Sequence, residues 1–172
     1  MDVRAAGSAD EELLLDLLNT TPVIDGVPHD GLSELKVANA WMRARGIEPS
    51  ERERAALVSA REALQAVVRG VAAPSSLAAF VGGVALRPVA TDDGLDWHVE
   101  VAGPVDGAVR AVLAWDALRI TSPGRLRPCA NTECQLFLID RSKPNTARWC
   151  SMAICGNRMK ARRHYRRTHA SE

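Results

Sequence analysis

The sequence predicts an α+β chain: a mainly helical N-terminal domain carrying one β-hairpin, then a small cysteine-rich module that ends in a basic helix. Three observations predict it. Apolar residues recur at three- and four-residue steps through most of residues 11–120, the mark of helices with one buried face. One pair of alternating apolar runs flanks an Asp-Gly turn, a strong hairpin signal. All four cysteines fall between positions 129 and 155, directly ahead of an arginine-rich stretch. A chain of 172 residues is long enough for one ordinary domain plus a small second one.

Taken in order, Glu11 to Asn19 holds five leucines and reads as a mostly buried helix, with Asp10 as N-cap and Pro22 beyond its end. Asp16 and Asn19 lie one turn apart in this apolar setting, so both need polar partners. Hydrogen bonds to a neighbouring loop supply one answer, and ligand sensing is the functional alternative. Val23 to Gly31 reads as a polar loop. Leu32, Leu35, Ala38, Trp41 and Met42 then mark an amphipathic helix with Ser33 as its cap and Gly46 at its stop. Ser50 and Glu53 form a capping box for a longer helix whose apolar line is Leu57, Ala60, Leu64, Val67 or Val68, and Val71. A short helical segment is expected over 77–81.

The runs 84–90 and 95–101 are the two hairpin strands, with Leu95, Trp97, Val99 and Val101 alternating on one face. Pro88 assigns the first strand to a sheet edge. Asp92, Asp93 and Asp96 sit on a turn without further ligands and are not read as a metal site. Ala108 to Ile120 reads as a helix with Val109, Val112, Leu113, Ala117 and Ile120 inward and Asp106 near its start. Thr121-Ser-Pro-Gly124 is the clearest linker, so the domains are placed at 9–122 and 125–169.

No apolar run approaches the ~18–20 residues of a membrane span, and the first ten residues lack the apolar centre of a signal peptide. The expected location is cytoplasmic, where paired cysteines more often hold metal than form disulfides. The net charge of +1 conceals a polarity: residues 1–124 carry 11 Lys+Arg against 18 Asp+Glu, and residues 125–172 carry 11 against 3. A basic module seeking a polyanion fits that asymmetry; so does attraction between the two halves.

Cys129 and Cys134, then Cys150 and Cys155, form two Cys-x4-Cys pairs able to present four thiolates to one tetrahedral zinc ion. Pro128, Asn131 and Thr132 suit a tight turn for the first pair. Leu136 to Ile139 reads as a strand returning from it, and the second pair lies at a helix start with Ser151 as cap. That order is the treble-clef arrangement. Four sulfurs close the shell, which points to a structural rather than a catalytic ion. Disulfides and a thiol redox switch remain as alternatives, the latter because Arg148 and Arg158 favour thiolates.

Met152 to about Thr168 continues as a helix on which Arg158, Arg162 and Arg166 step by four, with Lys160, Arg163 and Arg167 close by. Tyr165 is available to stack on bases. Together these residues form the electrostatic footprint of a nucleic-acid binder.

At these residues the chain resembles a known family. Trp149-Cys150-Ser151-Met152, then Cys155-Gly156-Asn157-Arg158 and Lys160, resemble the CGNR zinc finger, named for that tetrapeptide; Cys129, Cys134, Phe137, Asp140 and Ser142 fit the same pattern. The N-terminal part, with Leu15-Asp16-Leu17-Leu18-Asn19-Thr20 and the Trp41 helix, is similar to the ABATE domain that precedes this finger in bacterial proteins. The resemblance implies one zinc ion held by Cys129, Cys134, Cys150 and Cys155, and a role in stress-related transcription control, with RNA binding also suggested. In this pattern Asn157 is expected to brace the metal loop, and Arg158 to pack over the first knuckle or contact phosphate.

The expected function is therefore zinc-dependent nucleic-acid binding, to DNA more than RNA, by a bacterial transcriptional regulator. The N-terminal domain would serve in small-molecule sensing or homodimerisation. The competing class is a zinc-stapled interaction module that grips an acidic partner or its own N-terminal half. An enzyme is not expected, because no phosphate loop, His-Glu-x-x-His site or nucleophile elbow is present.

Overall fold

Helix α1 (Ser8–Leu18) forms the centre of the core: Leu13, Leu14, Leu17 and Leu18 are all fully buried. The computed structural model describes residues 8–102 and 106–169; the start of the chain, read above as lacking a signal-peptide core, lies largely outside them. Asp10 is inside α1 and pairs with Arg110 at 2.8 Å instead of capping the helix. Helices α3 (Glu51–Val68) and α5 (Gly107–Thr121) pack against α1, α2 (Leu35–Arg43) joins the same core through Ala38 and Met42, and the four-residue helix α4 (Ala78–Val81) lies beside α5. On α5, Ala108, Ala111 and Ala114 are buried at three-residue steps, which lets its backbone approach the leucines of α1 closely. Each fully buried leucine contributes about 1.5–3 kcal/mol relative to exposure, so α1 alone anchors the domain.

The segment expected as a polar loop is a small hairpin: β1 (Val23–Ile24) pairs antiparallel with β2 (Val27–Pro28). Its two-residue turn is Asp25-Gly26, with φ of 51° and 80°, the left-handed pair that such turns demand. Beyond it, Asp30 accepts two hydrogen bonds from Arg61 of α3, at 2.6 and 2.8 Å, and one from the Leu32 N–H at 2.9 Å. Arg61 is only 3% exposed and also donates to Thr20 Oγ1. Its hydrogen bond to Asp30 holds that carboxyl below the ordinary carboxylate range.

Besides Asp10, two caps differ from expectation. Ser33 does not cap α2, which begins after Glu34 with no side-chain cap; its hydroxyl instead donates to the Asp30 carbonyl. Leu32 is buried ahead of that helix while Leu35 is 54% exposed, so the apolar stripe starts one turn earlier than the helix does. Ser50 does cap α3, accepting from the Glu53 N–H at 3.0 Å. The other half of the box is missing because the Glu53 side chain is used elsewhere. It accepts from the N–H groups of Asp106, Gly107 and Ala108 at 2.9, 3.0 and 3.3 Å, capping α5 from another helix. Asp106 makes no cap of its own. Gly107 is required by this approach: a Cβ there would meet Ile47 Cδ1 at 2.5 Å and Glu53 Oε1 at 3.0 Å.

Burial pushes the Glu53 carboxyl up in spite of its three N–H donors. A raised folded value means that the folded state holds the proton more tightly, so this group's contribution falls as pH rises above the ordinary carboxylate value. Glu53→Ala is expected to cost about 2–4 kcal/mol in urea denaturation, since it orphans buried helix-terminal donors. Glu53→Gln is expected to cost less and to remove that pH dependence. A cost for Glu53→Ala below about 0.5 kcal/mol, the range of ordinary surface changes, would refute the cap.

The second hairpin joins β3 (Val84–Thr91) to β4 (Gly94–Val101), in register Leu86↔Val99 and Pro88↔Trp97. Both strands are edges. The alternating apolar face is only partly covered: Leu95 is 62% and Val99 47% exposed. Ile120 on α5, read as inward, is 63% exposed, and Val71 lies beyond the end of α3 at 80%.

After Gly124 (φ 71°), β5 (Leu126–Pro128) pairs antiparallel with β6 (Phe137–Ile139). β5, Leu126-Arg127-Pro128, has no apolar run to mark it as β6 has. Phe137 is 1% exposed, and Leu126 and Ile139 pack with it onto the helical core. Asn19 grips the Phe137 backbone from both sides, its Oδ1 accepting at 2.7 Å and its Nδ2 donating at 3.2 Å. Arg69 donates to the Gln135 carbonyl and lies 4.4 Å over the Phe137 ring. An Arg141–Glu11 ion pair adds to the junction. The cysteine module is thus anchored through its strand pair, and the basic helix α6 (Asn157–His169) has no buried residue.

Candidate metal centre

The first cysteine pair is set by the β5–β6 turn. The Cys129 N–H donates to the Leu136 carbonyl and the Cys134 N–H to the Asn131 carbonyl, both at 2.8 Å. Asn131 is completely buried; its Oδ1 accepts from the Glu133 N–H and its Nδ2 donates to Cys155 Sγ at 3.5 Å. The second pair is brought up by the loop 140–149. Buried Asp140 ties that loop, accepting from the N–H groups of Ser142 and Ala147 at 2.8 and 2.7 Å and from Arg127 at 3.1 Å. Hydrogen bonds from Ser142 lead the causes that hold its carboxyl below the ordinary range. Arg127 also reaches Asn145, whose φ of 51° an asparagine tolerates. The Ala130 N–H then donates to the Arg148 carbonyl, stitching the two knuckles together.

Ser151 caps the next turn, accepting from the Ile154 N–H at 3.4 Å. That turn, Met152–Gly156, is π-helical and runs straight into α6. A Cβ on Gly156 would meet the end of the Met152 side chain at 2.9 Å and Trp149 at 3.3 Å, so the turn is closely packed at this position.

The four sulfurs all lie within 4.8 Å of one another. Cys134–Cys150 and Cys150–Cys155 are each 3.7 Å apart. A tetrahedron with metal–sulfur bonds of about 2.3 Å has sulfur–sulfur edges of about 3.8 Å, whereas a disulfide would hold its sulfurs at about 2.05 Å. The donor set therefore fits a zinc ion. Among the described residues this is the one such grouping of His, Cys, Asp and Glu side chains, so His164 and His169 are outside it.

The thiols are electrostatically unequal. Burial raises Cys134 to about 11 and pushes Cys150 up further. Burial also opposes ionisation of Cys155, but the Asn131 amide and the neighbouring thiols outweigh it and lower that group. The Cys150 N–H adds a 3.5 Å contact to Cys129 Sγ. Such N–H donors around the sulfurs orient and stabilise thiolate ligands. Asn131 is the member of this set that the sequence reading treated only as a turn residue.

The predicted contact residues on α6 separate into two groups. Arg162 pairs with Glu133 at 2.6 Å and so clamps the helix to the first knuckle. Arg158, Lys160, Arg163, Arg166 and Arg167 are exposed, and among the described residues no carboxylate pairs with them. Tyr165 is 63% exposed and stacks on His169 with centroids 4.0 Å apart. Asn157 donates to the Ala153 carbonyl at 3.2 Å, bracing the turn that carries Cys155. Of the two residues singled out for ligand sensing, Asp16 pairs with Arg45, which lies 4.2 Å over Trp41. Asn19 is the Phe137 clamp, so its partner is structural as in the first of the two readings but sits on strand β6 rather than on a loop.

Among the described residues no helix is long and apolar enough to cross a membrane. Two family models match the chain: residues 125–168 match the CGNR zinc finger, and residues 11–122 match ABATE, described as "Putative stress-induced transcription regulator". No curated protein matches.

Proposed function

Because the chain belongs to the ABATE family and ends in a CGNR zinc finger, we propose that it is a cytoplasmic, non-enzymatic transcription regulator that binds duplex DNA through α6. One structural zinc ion shapes that helix's presentation. The observation that carries this reading is the division of labour in the finger. The strand pair β5–β6 docks on the helical core, and Arg162 fixes α6 to the first knuckle. Five cations are left exposed on the far element. Attraction between the basic module and the acidic half is a weaker account, since the surface that docks is the apolar strand pair with Phe137, not the arginine helix.

Each phosphate neutralised releases counterions, so binding should fall steeply with salt. Zinc-loaded full-length chain is expected to bind duplex DNA with a log–log salt slope of about −3 to −5, corresponding to four or five phosphate contacts. Fluorescence anisotropy on duplex DNA and on single- and double-stranded RNA, between 50 and 300 mM salt, measures it. Absence of binding at the lowest salt would overturn the proposal, and a preference for RNA would redirect its target.

A further inference from the structure

A cavity in the N-terminal domain lies away from the cysteines. It is an open cleft of about 620 Å³ between the β3–β4 hairpin and α5, within the ~300–1,000 Å³ range of small-molecule sites. Leu86 and Val99 line one wall and Leu113, Ala117 and Ile120 the other. The α5 wall belongs to the face read as inward, and both walls are left open: Leu86 is 38%, Val99 47% and Ile120 63% exposed. A lone two-stranded hairpin is marginal in water, so an uncovered apolar face on this one calls for an occupant.

The charges around the cleft select its kind. Asp10, Asp106 and Asp116 line it with a single cation, Arg110. Arg110 is shared between Asp10 at 2.8 Å and Asp106 at 3.4 Å, leaving that carboxylate pair with one excess negative charge. Asp106 itself is 56% exposed. A second copy of the chain fits poorly. A two-fold interface sets the same patch against itself, so the carboxylates of each copy would meet those of the other with no surplus of cations to offset them. An anionic or neutral ligand gains nothing from this rim.

We propose that the cleft between the β3–β4 hairpin and α5 binds a small hydrophobic cation, its apolar body between Val99 and Leu113 and its charge toward Asp106. The site is separate from the finger, so it stands or falls independently of DNA binding.

Isothermal titration of the zinc-loaded full chain with tetraphenylphosphonium, and with its near-isosteric anion tetraphenylborate, tests it. The cation should bind one per chain with Kd on the order of 10 µM, from the ligand efficiency of molecules that size. The anion should bind at least about tenfold weaker, a charge preference worth only one like-charge penalty. Val99→Lys, at a half-exposed position, should abolish binding, and Asp106→Asn should weaken it about three- to tenfold. Should Val99→Lys fail to fold, NMR contacts from the cation's ring protons to the Val99 and Leu113 methyl groups in the unaltered chain locate the site instead. No saturable binding of the cation, equal binding of both ions, or binding indifferent to Val99→Lys would overturn the proposal. So would sedimentation showing a dimer that Val99→Lys dissociates, because the face would then be a self-interface.

Discussion

Stripping the metal with a chelator is expected to melt residues 125–169 and to lower the Tm of the remaining domain by about 10–15 °C. The first effect follows from size. The finger's own apolar complement is small, and zinc-finger peptides draw about 10–16 kcal/mol of apparent folding energy from the ion. The second follows from Phe137, which is 1% exposed within the same core as α1 and α3. Losing its burial costs about 1.5–3 kcal/mol. Freeing Asn19 in a half-buried setting, where it had held both backbone groups of Phe137, adds about 1–2 kcal/mol. The sum of about 2.5–5 kcal/mol corresponds to the stated shift for a domain of this size.

Metal affinity should also fall as pH is lowered, because thiols in the melted, metal-free module are protonated below their ordinary pKa of about 8.5 and uptake must displace those protons. Circular dichroism and thermal scans with and without chelator, at pH 6 and pH 8, measure both effects. A metal-free chain that keeps α6 and an unchanged Tm would refute the coupling.

The coupling between finger and helical core was partly legible. Asn19 stood out as a polar residue on an apolar helix that needed a partner, and a neighbouring loop was one of the two answers. What periodicity could not supply was the partner's address, 118 residues away. Glu53 failed for the same reason. Its spacing from Ser50 satisfies a local capping rule, yet its carboxylate is held by an N-terminus more than fifty residues downstream. Local patterns find local partners, and buried polar residues are where the chain spends its long-range contacts.

The missed hairpin at 23–28 is a different case. Asp25-Gly26 is the dipeptide that was heeded at 93–94, but its flanking strands are two residues each and show no alternation. The cysteine centre was fully legible as a donor set because thiolate spacing is nearly independent of the surrounding fold. Asn131 was not, because an amide donating to sulfur has no spacing rule.

The α6 arginines carry the second large expectation. Replacing Arg163, Arg166 and Arg167 together by Ala is expected to weaken duplex-DNA binding about 10²–10³-fold at moderate salt and to flatten the salt slope by about 2–3. Zinc content and Tm should stay unchanged, since all three are exposed and exposed charges add little to folding. Arg162→Ala should behave differently, although a step-of-four reading groups it with Arg158 and Arg166. Its guanidinium is committed to Glu133, so its loss should loosen α6 from the first knuckle and leave the salt slope nearly as it was. Glu133→Gln should reproduce that loosening without touching a cation on the helix. Anisotropy titrations at three salt concentrations separate the two classes. If the triple variant binds as tightly as the unaltered chain, α6 is not the DNA-contacting surface, and its cations serve a protein partner instead. If Arg162→Ala lowers the slope as much as a free arginine does, the ion pair to Glu133 yields to phosphate on binding and the clamp is temporary.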